Sequence, residues 1–175
     1  GRVTGVQTCV FRSHTLALML RTMGRYDDAE REASLLTQAN PGKPAYWELR
    51  AAIAQSRGDL PTAVELCEQG LASVAKAPRL HYSLGQLYRQ STDFFAAAAA
   101  YEQAENSGFS QPELYQNWSE SLLDSGELAA ALSVINRGVD RFPEHALLHR
   151  IAVRLQAEAG VDGDPLERLV AAVER

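Results

Sequence analysis

Lysine is almost missing from this chain. Lys43 and Lys76 are the only two, so arginine supplies 15 of the 17 basic residues. Cysteine is as scarce: Cys9 and Cys67 belong to no CxxC pair and no zinc-type spacing, which excludes a disulfide framework and a structural zinc site. No apolar run approaches the roughly 18 to 20 residues that cross a bilayer, so no membrane partner is expected. Neither GxGxxG nor GxxxxGK[ST] occurs, and with them go the common phosphate-binding loops. Positive charge is not in excess either. A net charge of −5 argues against a surface built for nucleic acid.

What remains suits an ordinary globular chain. The 175 residues fit one domain, and 46% apolar with 22% charged residues is too apolar for disorder. Heavy use of arginine, alanine and leucine points to a GC-rich bacterial coding sequence. The opening run Val3-Thr4-Gly5-Val6-Gln7-Thr8-Cys9-Val10-Phe11-Arg12-Ser13 resembles the conceptual translation of a sequencing adapter, with a frame slip near Val10. Residues 1–13 are therefore set aside as non-native, and Cys9 with them. They lack the long apolar stretch of a secretory signal. On that reading the natural N-terminus lies outside the sequence, and the expected address is cytoplasmic.

The strongest signal is a period. Ala29, Ala63, Ala97 and Ala131 stand 34 residues apart. Gly24, Gly58, Gly126 and Gly160 keep the same stride, with Thr92 filling the vacant slot. Two residues after the first four slots come Tyr26, Leu60, Phe94 and Leu128, and Pro41 and Pro143 close the first and fourth units. Leu84, Gly85 and Tyr88 share one helix face, the polar turn Gln90-Ser91-Thr92-Asp93 follows, and Phe94, Ala97, Ala98, Tyr101 and Ala104 form a second apolar stripe. Each unit is thus predicted to be a helical hairpin. The glycine accepts a left-handed backbone at the end of the first helix, and the alanine lets two helices approach closely. Ser110 before Pro112 reads as an N-cap.

These residues resemble the tetratricopeptide-repeat family, whose first helix carries an aromatic, then Leu-Gly and Tyr, and whose second carries Ala, an aromatic, Ala and Pro. The unit 78–111 fits best, through Leu84, Gly85, Tyr88, Ala97, Tyr101 and Ala104. The unit 44–77 keeps Trp47, Ala51, Gly58 and Ala63 but has Cys67 and Gly70 in its second helix. The unit 112–145 keeps Tyr115, Gly126, Ala131 and Pro143, with Trp118 in the leucine place. A first unit spans about 14–43, and a partial fifth spans 146–175. There Pro165 takes the next alanine slot, so its second helix is displaced, and Leu166, Leu169, Val170 and Val173 form a stripe with no further unit to cover it. The expected architecture is a single all-α array over 14–175, a right-handed superhelical solenoid of antiparallel helix pairs, with sequence continuing past Arg175 in the natural protein.

The resemblance implies a concave groove lined by the first helices, which receives a protein or peptide partner. Carried onto this chain, its wall holds Glu48, Gln55, Arg79, Tyr82, Gln86, Arg89, Gln116, Asn117, Glu120, Asp124, Arg150 and Arg154. Amides and guanidinium groups suit a peptide backbone and carboxylates, although a charged helix face is often simply solvated. Chaperone-binding members clamp a terminal carboxylate with Lys, Asn, Asn, Lys and Arg across three units. The equivalent places from residue 44 hold Glu48, Ala52, Ser83, Glu113 and Asn117, and neither neighbouring window does better.

Catalytic signals are weak. His145 and His149 have a spacing that can present two metal ligands, but Ala146 stands where an HExxH site needs glutamate. Cys67 occupies a core slot and reads as an inert thiol, while His81 has no acidic or cysteine partner at a recognisable spacing. No enzyme activity, cofactor or metal is expected. The leading reading is an interaction scaffold, on which Arg79→Glu with Arg89→Glu should abolish partner capture without lowering helicity. One rival is the accessory N-terminal array of a larger sulfotransferase, glycosyltransferase or oxygenase. A second is self-association through the terminal helix.

Overall fold

The computed structural model of the chain describes residues 5–160, with side chains from Arg12 onward. Among these residues there are nine α-helices and no strand. The first helices are α1 (Gly5–Thr22), α3 (Pro44–Arg57), α5 (Pro78–Gln90), α7 (Pro112–Asp124) and α9 (Ala146–Glu158). The second helices are α2 (Tyr26–Ala39), α4 (Leu60–Ser73), α6 (Phe94–Asn106) and α8 (Leu128–Arg141). Helix α1 begins inside the segment set aside as adapter-derived. Pro165 and the stripe from Leu166 to Val173 lie outside the described residues.

Local chemistry sets the ends of the helices. Pro44, Pro78 and Pro112 open α3, α5 and α7, where a fixed φ suits the first turn and a missing N–H loses no bond. Ser110 is not the cap of α7: that place belongs to Gln111, whose side chain makes no capping bond. True side-chain caps start α4 and α6. Asp59 accepts from the Thr62 amide at 3.2 Å, and Asp93 from the Ala96 amide at 3.0 Å.

The left-handed slot appears at every hairpin turn. Gly24, Gly58 and Gly126 have φ of 74°, 86° and 86°, and Gly160 takes 62° after α9. Thr92 adopts the same conformation at φ 62° despite its branched side chain. The amide after the slot then bonds back five residues, from Asp93 to the Tyr88 carbonyl at 2.9 Å and from Asp59 to the Ala54 carbonyl at 3.0 Å.

Every helix packs against the next, and Ala29, Ala63, Ala97 and Ala131 are wholly buried where the pairs meet. Successive first helices also touch, in the pairs α1–α3, α3–α5, α5–α7 and α7–α9. Among the described helices, the second ones never touch each other. One rank is therefore close and the other splayed, so the stack curves with the first helices on its inner side. The result is an all-α solenoid of antiparallel helix pairs.

Size is traded between neighbouring places. A Cβ on Gly70 would lie 2.7 Å from Cβ of Trp47, and one on Gly138 would lie 2.6 Å from Cβ of Tyr115. Wherever the first helix brings a large ring to this contact, the second gives up its side chain. At the N-terminal end, Leu16 and Met19 of α1 stay exposed, as does Met23 just after it. The counterparts of Leu16 and Met19 two hairpins on, Leu84 and Leu87, are buried against the preceding second helix. No described helix is long and apolar enough to cross a membrane.

Candidate functional site

The inner rank places polar side chains of α3, α5 and α7 side by side. Tyr82 is fixed first: its ring stacks on Phe109 with centroids 4.5 Å apart and tilts against Tyr101 at 5.7 Å. Its hydroxyl accepts from Asn117 Nδ2 at 2.9 Å, crossing from α5 to α7. Asn117 Oδ1 accepts in turn from Arg89 Nη1 at 2.7 Å, and Arg89 Nη2 pairs with Glu120 at 3.1 Å. Gln116 donates to Glu120 at 3.3 Å. Tyr82, Arg89, Gln116, Asn117 and Glu120 thus form one connected network. Burial raises the pKa of Tyr82, against the Asn117 hydrogen bond.

Two further contacts tie α3 to α5. Glu48 meets Arg79 at 3.4 Å, and Gln55 donates to Gln90 at 2.9 Å. Burial pushes the Glu48 carboxyl above its usual range, and Arg79 only partly offsets this. Asp124 and Arg150 stand exposed outside the network, and Arg154 turns to Glu158 of its own helix at 3.8 Å.

Gln86, Arg89, Gln90, Tyr101 and Asn117 line an open cleft of about 300 Å³ on this wall. Of the residues expected on the groove wall, Gln86, Arg89 and Asn117 line this cleft, joined by Gln90 and Tyr101, which the repeat spacing does not single out. The sequence pattern places Gln90 in the turn after α5 and Tyr101 in the apolar stripe of α6. Tyr101 is fully buried, yet its hydroxyl makes no hydrogen bond. Burial raises its pKa well above the phenol range, opposed chiefly by the Arg89 guanidinium, which comes near without reaching hydrogen-bond geometry.

The other reactive side chains do not line this cleft. Cys67 is buried and its thiol pKa is pushed up to about 12, first by burial and then by Glu48 and Glu68. The His149 ring bonds the Pro143 carbonyl at 2.7 Å, while Nδ1 of His145 is buried without a partner beside a second cleft, of about 410 Å³, that includes Phe142 and Pro112. Burial lowers the pKa of His81. Among the described residues, no group of three or more His, Cys, Asp or Glu can hold a metal ion.

A family model described as Tetratricopeptide repeat matches residues 14–78 and 54–112. The chain belongs to this family. No curated protein matches it. Among solved structures, this tetratricopeptide-repeat chain is similar to the crystal structure of MamA protein, at a TM-score of 0.75 and 16% identity, covering 95% of this chain and 91% of that one. It is also similar to the crystal structure of YrrB, described as a TPR protein with an unusual peptide-binding site. There the TM-score is 0.68 and the identity 18%, with coverage of 91% and 82%. At such identities the likeness shows the fold, which is the one the 34-residue stride predicts.

Proposed function

We propose that this tetratricopeptide array, taken as one unit over 14–175, is a protein-interaction scaffold whose inner wall binds an extended peptide segment of a partner. The observation that carries this reading is the chain of contacts Tyr82–Asn117–Arg89–Glu120. It fixes amide, phenol and guanidinium groups across two successive hairpins while leaving a cleft open beside them. Groups held in place lose little entropy on binding, which favours recognition. Arg89 uses two of its five N–H donors within the wall, so others remain for a partner's carbonyls. The fold neighbour YrrB, named for a peptide-binding site, supports the same reading.

Selection of random peptides on the purified chain tests it, followed by anisotropy titration of the enriched sequences. Saturable binding that weakens about tenfold or more in Arg79→Ala with Arg89→Ala is the expected result. Peptides that bind both proteins equally would place the binding surface elsewhere.

A further inference from the structure

Tyr101 belongs to a second helix, yet its side chain reaches the wall built by the first helices. It does so across Gly85: a Cβ there would lie 2.5 Å from Cε1 of the Tyr101 ring. The equivalent pairs in the other hairpins are Ala17 with Ala33, Ala51 with Cys67, and Ser119 with Ile135. None of these second-helix residues carries a hydroxyl. At this place only Tyr101, among the described hairpins, carries a hydroxyl; the residue lines the cleft, and its oxygen, covered in the free chain, lacks a hydrogen bond. A buried hydroxyl without a partner is costly, and a bound acceptor relieves the cost.

The rest of the cleft decides which acceptor. Arg89 is the one cation among its lining residues, and its charge is already met by Glu120 at 3.1 Å. A carboxylate would have to compete with Glu120 for it. The lining also offers both hydrogen-bonding roles. Tyr101, Gln86 and the remaining N–H groups of Arg89 donate, while the side-chain oxygens of Gln90 and Asn117, each already accepting one bond, keep a second lone pair. A neutral group with one acceptor and two donors matches this set.

We propose that the cleft is a subsite for a side-chain carboxamide, the asparagine or glutamine of a bound segment, whose carbonyl oxygen accepts from the Tyr101 hydroxyl. This rests on the inner-wall reading above and specifies the chemistry of one anchor within it.

The probes are N-acetyl-glutamine methylamide, its glutamate counterpart and its norleucine counterpart. Each is titrated at pH 7 while the side-chain amide signals of Gln86, Gln90 and Asn117 are followed by NMR. The glutamine probe should give saturable shifts, with the other two weaker by about fivefold or more. Tyr101→Phe should weaken the glutamine probe by about fivefold. The same variant should melt no lower than the parent, because it removes a hydroxyl that the free protein leaves unbonded. Equal binding of the glutamate or norleucine probe overturns the proposal, as does saturation by none of the three. A clearly lower melting temperature for Tyr101→Phe overturns it as well, since the hydroxyl would then be bonded within the fold. If selected peptides still bind in an Arg79- and Arg89-dependent way while the glutamine probe fails, the carboxamide subsite falls and the groove stands.

Discussion

The Tyr101 ring lies where a side chain on Gly85 would begin, with Cε1 and Cδ1 only 2.5 and 2.7 Å from the ideal Cβ position. Gly85 sits inside α5, where alanine would ordinarily stabilise the helix by about 0.5 to 1 kcal/mol. The close ring reverses the sign. Gly85→Ala is expected to destabilise the array by about 1 to 3 kcal/mol in urea unfolding. In a Tyr101→Leu background the same change should be neutral or stabilising, because the clashing atoms are gone. A destabilisation of equal size in both backgrounds would refute the contact as its cause.

Thr92 carries strain that its four equivalents avoid. A left-handed conformation costs a residue with a side chain about 1 to 2 kcal/mol, and Thr92 holds φ 62° where the others are glycine. Thr92→Gly removes this cost but adds freedom to the unfolded chain. The net expectation is a gain of about 1 kcal/mol at most, read from the urea midpoint. Gly58→Thr should move it the other way.

Much of the fold is visible in the sequence because the stride fixes geometry. Every hairpin turn needs one left-handed residue and every helix pair one small contact, so Gly58 and Ala97 recur at set places. Thr92 followed the slot and not its own preference. Pairings between helices are harder to see. Gly70 looks like a departure from the family pattern until Trp47 is set beside it, and the two are brought together only by the fold. The same holds for the inner wall. Spacing puts Arg89, Asn117 and Glu120 on one side of the stack, but the bonds among them depend on rotamers. Its apolar stripe marks Tyr101 as core, and its reach toward the inner wall depends on what Gly85 lacks.

The Cys67 thiol should resist alkylation. With its pKa pushed up to about 12, almost no thiolate exists at pH 8, and the side chain is buried. In native protein treated with iodoacetamide, the peptide containing Cys67 should stay unmodified by mass spectrometry. In urea it should label fully. Rapid labelling under native conditions would mean that α4 opens readily.

Asp59 links stability to acid. The Thr62 hydrogen bonds, and then Arg57, hold its carboxyl below the usual range. A depressed carboxyl stabilises the fold above its unfolded pKa, and that contribution fades as pH falls through the folded value. Asp59→Asn keeps an acceptor for the Thr62 amide but cannot titrate. Its melting temperature should therefore fall less steeply than the parent's between pH 5 and 3, and Asp59→Ala should melt lower throughout. Parallel pH profiles for parent and Asp59→Asn would contradict this.

Arg79 and Arg89 are not equivalent, which alters what their charge reversal can report. Arg79 is largely exposed and meets Glu48 at 3.4 Å, so Arg79→Glu should cost less than about 0.5 kcal/mol. Arg89 is mostly covered and held by both Asn117 and Glu120. A carboxylate at that place would face Glu120 and leave Asn117 Oδ1 without its donor. Arg89→Glu is therefore expected to cost about 1 to 2 kcal/mol, and Glu120→Gln should recover part of it. Helical circular dichroism should persist in both variants, while the urea midpoint separates them. Loss of binding by Arg89→Glu alone would then mix a lost contact with a loosened wall. The neutral Arg89→Ala is the cleaner reporter, because it removes the donor without setting two carboxylates against each other.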